Sequence, residues 1–314
     1  MFYETIKVLD CTIRDGGLVN KHDFSLEFVR RLYQLLTAAG VDYMEVGYKN
    51  SPKLFDPKEY GPWKFCDDEI LWKLRDGIDS NMKLAVMADV GRVDVDSIKA
   101  AKESPYQMIR TASYVKDIDK GIALVNHFKE LGYETTLNIM AVSRDEGPEL
   151  DEALDQVGKE CKADVLYLVD SFGHFDQEDI NYELARYRKH VTTMKLGFHG
   201  HNNMQLAFSN TIQAIIDRTD FLDSTVTGIG RGAGNCTTEL LLGFLKNPKF
   251  DLRPILDAAQ ELMLPLRDKY EWGYILPLMI TGMLNRHPKD AIAIRQTADK
   301  DNYRQFYEHM IDEE

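Results

Sequence analysis

The feature that most constrains the fold is an alternation of short apolar segments with longer amphipathic ones, repeated through the first 250 residues. Eight segments have the length and composition of buried strands, at residues 7–11, 42–48, 83–88, 107–112, 135–141, 164–170, 195–199 and 221–225. Helical patterns separate them, including one at 95–102 between the third and fourth strands. Eight consecutive βα units predict a closed (β/α)8 TIM barrel, with an open doubly wound sheet as the alternative.

Side chains suited to catalysis follow or end several of these strands. They are Asp15, Glu45, Ser171, His199 and Asn235. A closed parallel barrel brings the carboxyl ends of all its strands to one mouth, whereas an open sheet would scatter them. The distribution therefore favours the barrel and predicts one shared site.

Composition excludes several classes of protein. The chain is 44% hydrophobic and 28% charged, with a net charge of -13 and no cluster of Lys and Arg, so a nucleic-acid surface is not expected. No segment approaches the roughly 20 apolar residues of a membrane span, and the N-terminus does not resemble a signal peptide. The four cysteines form no CxxC pair, which indicates a reducing, cytoplasmic setting.

After the eighth unit the pattern becomes helical, at 253–269, 274–285 and 299–310. We therefore predict a barrel domain at 1–250 and a C-terminal helical extension at 251–314. The apolar run ILPLMITGML at 275–284 is too apolar for a loose tail. It predicts a helix that covers the barrel, a second copy of the chain or another protein.

The seventh strand ends in two histidines that are two residues apart. Because a strand alternates its faces with period two, His199 and His201 point the same way, as two ligands of one metal must. Together with Asp15 and Asn235 they offer one carboxylate, two imidazoles and an amide oxygen, a set that suits an octahedral divalent cation. Mg²⁺ and Mn²⁺ are favoured, and Co²⁺ and Zn²⁺ remain open. The alternative is a polar strand end that faces solvent.

Four motifs resemble the signatures of the DRE-TIM metallolyases, and most closely those of 4-hydroxy-2-oxovalerate aldolases. They are LDCTIRDGG at 9–17, EVG at 45–47, HGHNN at 199–203 and GRGAGN at 230–235. The resemblance spans residues 7–246. It implies a metal-dependent enzyme that makes or breaks a carbon–carbon bond through an enolate, with Asp15, His199 and His201 as ligands and Asn235 in or near the coordination shell.

The resemblance also implies roles for two charged residues. Arg14 would donate a hydrogen bond to the enolate oxygen, and Glu45 would hold Arg14 and order water around the metal. A cation and a guanidinium on that oxygen would lower the barrier by roughly several kcal/mol. The alternative is an ion pair that only braces the first two strands.

The general base is the point at which this sequence departs from the aldolases. They carry a histidine three positions after the metal-binding aspartate, where this chain has Leu18. His22 and His174 are the candidate replacements, and each is otherwise a solvated loop histidine. Tyr274 is a further candidate, or else a core or interface residue.

Substrate contacts are expected near the ends of the middle strands. Ser171 follows the sixth strand and, by resemblance, contacts a substrate carboxylate. Arg110 and Asn138 would complete a polar floor. The segment 228–235 also holds Gly228, Gly230, Gly232 and Gly234, but no GK[ST] follows and the spacing of a dinucleotide-binding loop is absent. We therefore interpret these glycines as part of a loop that carries Asn235 to the metal.

We therefore expect an aldolase that forms or cleaves a bond to pyruvate or a related 2-oxo acid. A Claisen-type synthase that uses an acyl-CoA is the alternative, although such synthases carry a large C-terminal domain that this sequence lacks. A third hypothesis is a scaffold with a residual metal site. The apolar run at 275–284 further predicts a homodimer at least. The resemblance to the aldolases implies an acylating aldehyde dehydrogenase as a partner of the C-terminal helices.

Overall fold

The computed structural model describes residues 5–145 and 147–312, and its centre is a closed parallel sheet. The strands are β1 (Lys7–Asp10), β2 (Tyr43–Tyr48), β3 (Lys83–Asp89), β4 (Met108–Tyr114), β5 (Glu134–Met140), β6 (Val165–Asp170), β7 (Lys195–Gly200) and β8 (Phe221–Ser224). Each strand pairs in parallel with the next, and β8 pairs with β1. The predicted TIM barrel is confirmed.

The helices form a layer around the sheet and continue after it. Those described are α1 (Leu26–Ala38), α2 (Asp68–Arg75), α3 (Ile118–Glu130), α4 (Pro148–Glu160), α5 (Gln177–His190), α6 (Ala207–Ile216), α7 (Thr238–Leu245), α8 (Arg253–Ala258), α9 (Leu264–Arg267), α10 (Leu276–Met283), α11 (Lys289–Ile294) and α12 (Tyr303–Asp312). As an example of their caps, the Ser25 hydroxyl accepts a hydrogen bond from the amide of Phe28 at the start of α1. No described helix is long and apolar enough to cross a membrane.

One predicted helix is wrong. The segment 95–102 between β3 and β4 forms only two short 3-10 turns, Val95–Ser97 and Ala101–Glu103. The Ser97 hydroxyl donates a 2.6 Å hydrogen bond to the carbonyl of Asp94, a local bond that competes with helix formation. Ile98 is the one side chain of 95–102 that is buried, so the segment has too little apolar surface to hold a helix against the sheet.

The packed interior has two layers. Side chains between the sheet and the helices form the main core, while a smaller apolar cluster fills the inside of the barrel. Tyr43, Tyr167 and Phe221 belong to this inner cluster. Above it, towards the carboxyl ends of the strands, the interior changes to charged residues, which sets the depth of the cavity at the mouth.

An irregularity in β2 changes which side chains face inward. Glu45 is opposite Ala85 and Tyr48 is opposite Met87, so β2 contains one more residue than β3 between these two pairs. Such a bulge reverses the alternation of faces beyond it. Glu45 and Tyr48, three residues apart, are therefore both directed into the barrel.

The first part of the predicted C-terminal extension packs on the helical layer. Helix α8 continues through a π-helical turn, Ala259–Met263, into α9, in agreement with the predicted helix at 253–269. The Arg31 guanidinium on α1 pairs with both carboxylate oxygens of Glu261, at 2.7 and 2.9 Å. A domain boundary at residue 250 stays a prediction.

The second part lies across the rim of the barrel mouth. The amide of Asn203 donates to the carbonyl of Leu278 at 3.0 Å, and Asn285 exchanges hydrogen bonds with Ser143. Leu278 also packs with Ala233 in an apolar cluster that includes α12. The apolar run in α10 therefore covers the loops that follow β5, β7 and β8, and α11 is a helix that the sequence analysis did not predict.

The fold predicts opposite effects for two glycine substitutions. Gly47, at the β2 bulge, has a φ of 149°, and a Cβ there would overlap the Trp63 carbonyl and lie 2.7 Å from the Cys66 sulfur. We expect Gly47→Ala to lower the free energy of unfolding by about 2–4 kcal/mol. Gly243, in α7, has open space around it, so Gly243→Ala should raise stability by about 0.5–1 kcal/mol.

Urea denaturation followed by circular dichroism measures both effects. Equal stability of the two variants would contradict the packing at the β2 bulge.

Candidate active site

A cavity of about 80 Å³ opens at the carboxyl ends of the strands. Its lining residues are Arg14, Asp15, Leu18, Tyr48, Met87, Ala112, Asn138, Met140, Val169, Ser171, His199, His201 and Arg231. They come from the loop after β1, from β2 to β7 and the residues just beyond β6 and β7, and from the loop after β8, as a closed barrel requires. A concave site at this end of the barrel suits a small molecule.

Three of the predicted metal ligands converge at one wall of this cavity. Asp15, His199 and His201 each offer a ligand atom, and these atoms lie within 4.8 Å of one another. The Nδ1 atoms of both imidazoles are engaged, in His199 with Asp223 at 2.9 Å and in His201 with the Gly234 carbonyl at 3.2 Å. In both rings Nε2 is therefore the atom left to bind a cation.

The electrostatics of this wall suit a cation. Burial alone would raise the pKa of Asp15, but Arg14, His201 and His199 hold it well below its usual range, so the carboxylate is ionised. Burial lowers the pKa of His201 well below its usual range, which keeps that imidazole neutral. An ionised carboxylate and a neutral imidazole are the protonation states that a metal requires.

The amide of Asn235 completes the group. Its nitrogen donates to Asp15 at 2.5 Å, while its oxygen is buried and has no hydrogen-bond partner among residues 5–145 and 147–312. A Cβ at Gly230 would overlap the Asn235 amide and lie 2.5 Å from the Asp15 carboxylate, so only glycine lets the loop pass so closely. The unpaired oxygen beside three potential ligands fits a divalent cation.

Arg14 is held at the edge of the cavity by two carboxylates. Its Nε donates to Glu45 at 2.7 Å and its Nη1 to Asp15 at 2.8 Å, and the side chain is almost fully buried. Although burial opposes the charge, Glu45 and Asp15 raise the pKa of Arg14 well above its usual value. The guanidinium is thus a fixed, permanently charged donor beside the potential metal ligands.

Arg110 lies below the cavity and does not reach it. Its guanidinium, with no exposed surface, donates to Glu45 at 2.9 Å and to Asp223 at 2.7 Å, and it stacks on the ring of Tyr167 at 4.4 Å. The expected direct contact of Arg110 with substrate does not fit this position. Arg110 instead links Glu45 to Asp223, and Asp223 in turn orients His199.

The candidate bases do not line the cavity. His22 is buried, its Nδ1 has no hydrogen-bond partner in the described chain, and its ring meets Tyr48 edge-on at 5.3 Å. Burial and the nearby Lys64 lower the pKa of His22 to about 3, so it is neutral. The Nδ1 of His174 lies 2.8 Å from the Gly282 carbonyl, which places this ring in the contact with α10.

Of the other predicted residues, two line the cavity and one does not. Ser171 and Asn138 line the cavity. The Ser171 hydroxyl accepts a hydrogen bond from the Ala141 amide at 2.8 Å, and Asn138 accepts one from Thr136 at 2.6 Å. Tyr274 is 47% exposed and is absent from the cavity lining.

Three residues of the site were not predicted. Tyr48 enters the cavity because of the β2 bulge, which sequence periodicity does not reveal. Arg231 lies inside the GRGAGN motif but was interpreted only as part of a loop. The signal for Asp223 was the one charged residue in the predicted strand FLDST at 221–225.

The metal site predicts the effect of removing either imidazole. We expect His199→Ala and His201→Ala each to lower the affinity for a divalent cation by roughly tenfold or more, while the barrel, which rests on its apolar core, stays folded. Elemental analysis of the purified proteins, with circular dichroism as the folding check, measures this. His127→Ala, an exposed histidine on α3, is the control and should bind metal normally. Stoichiometric metal in both folded variants would place the site elsewhere.

Comparison with known proteins identifies the family. The HMGL-like family model matches residues 5–261. The 4-hydroxy-2-oxovalerate aldolase of Thermus thermophilus is 31% identical over 85% of this chain and 80% of its own length, and the oxaloacetate decarboxylase of Mycobacterium tuberculosis is 29% identical over 82% and 76%. The solved N-terminal domain of a Bacteroides vulgatus protein superposes with a TM-score of 0.80 at 31% identity, over 94% of this chain and 98% of that domain. A model that spans the whole barrel, and a relative matched over most of its length, show that the chain belongs to the HMGL-like family.

Proposed function

We propose that this protein is a divalent-metal-dependent carbon–carbon lyase that forms pyruvate, or a related 2-oxo acid, through its enolate. The observation that carries the proposal is the convergence of Asp15, His199 and His201 with the Arg14 guanidinium at one small cavity. The two named relatives support it. Cleavage of 4-hydroxy-2-oxovalerate and decarboxylation of oxaloacetate both leave the enolate of pyruvate, so one site can serve either reaction.

The bond change is the same in both cases. The bond between C3 and C4 of the 2-oxo acid breaks and its electron pair becomes the enolate. The C4 fragment leaves as carbon dioxide or, from a 4-hydroxy acid whose hydroxyl gives its proton to water, as an aldehyde. A bound divalent cation supplies Lewis-acid stabilisation of the enolate oxygen. Arg14, fixed by Glu45 and Asp15, donates to the same oxygen, so its geometry needs little adjustment as charge develops.

A proton must then reach C3 of the enolate. Tyr48 lines the cavity, and burial raises its pKa above its usual value, so its hydroxyl is protonated at neutral pH. Leu18 cannot transfer a proton, and His22 lies behind Tyr48 rather than on the cavity wall. We therefore assign the proton donation to Tyr48, whose ring packs against His22, and water at the cavity mouth returns the proton to the phenolate.

The donor set also bears on the choice of metal. Asp15 and Asn235 would provide oxygen ligands to a bound cation, and the two histidines would provide nitrogen ligands. Mg²⁺ or Mn²⁺ fits this mixture, and Co²⁺ and Zn²⁺ are compatible with it.

We further propose that the extension mediates assembly, as a homodimer at least, with an acylating aldehyde dehydrogenase as a second possible partner of the same surface. Leu276 and Met283 are 36% and 42% exposed and lie two turns apart on one face of α10. Apolar residues on one helix face favour a protein contact.

Assembly is tested on that face. Light scattering at micromolar concentration should give the mass of a dimer, and the double variant Leu276→Asp with Met283→Asp should give a monomer with an unchanged fold. Ile216→Asp, which removes an equally apolar residue that is 60% exposed on α6, should remain a dimer. A monomeric parent protein would exclude the homodimer.

The enolate step is tested without knowledge of the departing fragment. With Mn²⁺ or Mg²⁺ in heavy water, the protein should exchange the methyl protons of pyruvate for deuterium, measured by proton NMR. Arg14→Lys should slow exchange by about 10²-fold, because an ammonium cannot reproduce the guanidinium fork. Glu45→Gln should act in the same direction but less strongly.

Arg31→Lys is the matched control, since Arg31 is also ion-paired but lies on the outer helix α1. Exchange that needs no metal and is unaffected by Arg14→Lys would contradict the mechanism. If the protein exchanges the methyl protons of acetyl-CoA but those of no 2-oxo acid, the result would instead indicate the Claisen-type synthase.

A further inference from the structure

Arg231 reaches into the cavity from the loop after β8. It follows Gly230, whose backbone passes beside Asp15 and Asn235, and its side chain lines the cavity. The guanidinium Nη2 donates to the main-chain carbonyl of Ser171, at the end of β6, at 2.6 Å. This single bond holds the side chain against the wall of the mouth.

The charge on Arg231 differs from that on the other two arginines of the site. Arg14 and Arg110 each contact two carboxylates within 3 Å. Arg231 has no carboxylate within 4.0 Å among residues 5–145 and 147–312, and its buried Nε has no hydrogen-bond partner there. The side chain is partly exposed, its charge has no direct ion-pair partner in the described chain, and its buried Nε is a donor that a ligand could satisfy.

The two cavity-lining arginines are anchored by hydrogen bonds to strands that face each other across the barrel. Arg14 is tied to Glu45 on β2, and Arg231 is tied to the end of β6, four strands further round the barrel. The potential metal ligands are on β7 and in the loops after β1 and β8. In the closed barrel these elements lie between β6 and β2. A molecule whose 2-oxo acid end lies against Arg14 and these ligands would direct its other end towards Arg231.

We infer that Arg231 binds a second carboxylate of the substrate, so that the protein acts on 2-oxo acids with a carboxylate on the fragment that departs. The inference rests on the proposed lyase function and deepens it. The apolar lining residues Met87, Met140 and Val169 offer such a group no polar partner. A neutral fragment, such as the acetaldehyde released from 4-hydroxy-2-oxovalerate, would leave the Arg231 charge unpaired.

Two pairs of 2-oxo acids isolate the second carboxylate. Oxaloacetate and 2-oxobutanoate have four carbons, and 2-oxoglutarate and 2-oxopentanoate have five, and within each pair only the terminal carboxylate differs. Binding to the Mn²⁺-loaded protein is measured by titration calorimetry for the five-carbon pair. For the four-carbon pair it is measured by ligand-induced shift of the melting temperature.

We expect the dicarboxylate of at least one pair to bind about tenfold or more tightly than its monocarboxylate partner, as a charged hydrogen-bonded pair allows. Arg231→Gln, which can still donate to the Ser171 carbonyl, should abolish this difference and weaken the binding of pyruvate less than that of the dicarboxylates. Arg231→Lys should restore part of it. Arg144→Gln is the control, because Arg144 also bonds a main-chain carbonyl at the rim, that of Asn285, but lies outside the cavity.

Two results would overturn the inference. One is equal binding within both pairs by the parent protein. The other is an Arg231→Gln variant that loses pyruvate as severely as the dicarboxylates, which would place Arg231 on the shared 2-oxo acid end. A failure of the lyase proposal would be seen separately, as absence of metal-dependent exchange in pyruvate, while the binding comparison would still be measured.

Discussion

The site depends on one buried carboxylate that two guanidiniums share. Glu45 accepts from Arg14 at 2.7 Å and from Arg110 at 2.9 Å through the same oxygen, and none of its side chain is exposed. Arg110 also donates a hydrogen bond to Asp223, and Asp223 in turn orients the ring of His199. Removing one member of such a chain would leave its neighbours charged, buried and unpaired, which is far more costly than the loss of an exposed ion pair. The proposed donor for the enolate, Arg14, and a proposed metal ligand, His199, are therefore positioned by the same connected set of side chains.

Much of this architecture could be predicted from the sequence because it follows from local periodicity. The alternation of buried strands and amphipathic helices predicted the closed barrel, and the two-residue spacing of His199 and His201 predicted that both would face one point. The barrel then brings Asp15 and Asn235, 220 residues apart, into hydrogen-bond contact. The predicted role of each of these residues still awaits experiment.

The remainder could not be predicted because it depends on pairs that are distant in sequence or on a break in the periodicity. Arg110 on β4 faces inward as expected, yet its partners Glu45 and Asp223 lie 65 and 113 residues away, and they hold it below the cavity. Tyr48 has the parity of an outward-facing residue, and only the extra residue in β2 turns it inward. The helix expected between β3 and β4 failed for the opposite reason, since its local pattern lacked a buried face to support it.

The buried ion chain also fixes the electrical balance of the whole site. The buried ion-pair network and the cavity wall together contain three carboxylates and three guanidiniums, whose charges sum to zero. The carboxylates are Asp15, Glu45 and Asp223, and the guanidiniums are Arg14, Arg110 and Arg231. A divalent cation raises the total to plus two, and in a poorly solvated interior such an excess is expensive. A 2-oxo acid with one carboxylate leaves half of the excess, whereas one with two carboxylates removes all of it. Cation and dianion should thus assist each other's binding reciprocally, and electroneutrality itself becomes a determinant of which substrate the barrel accepts.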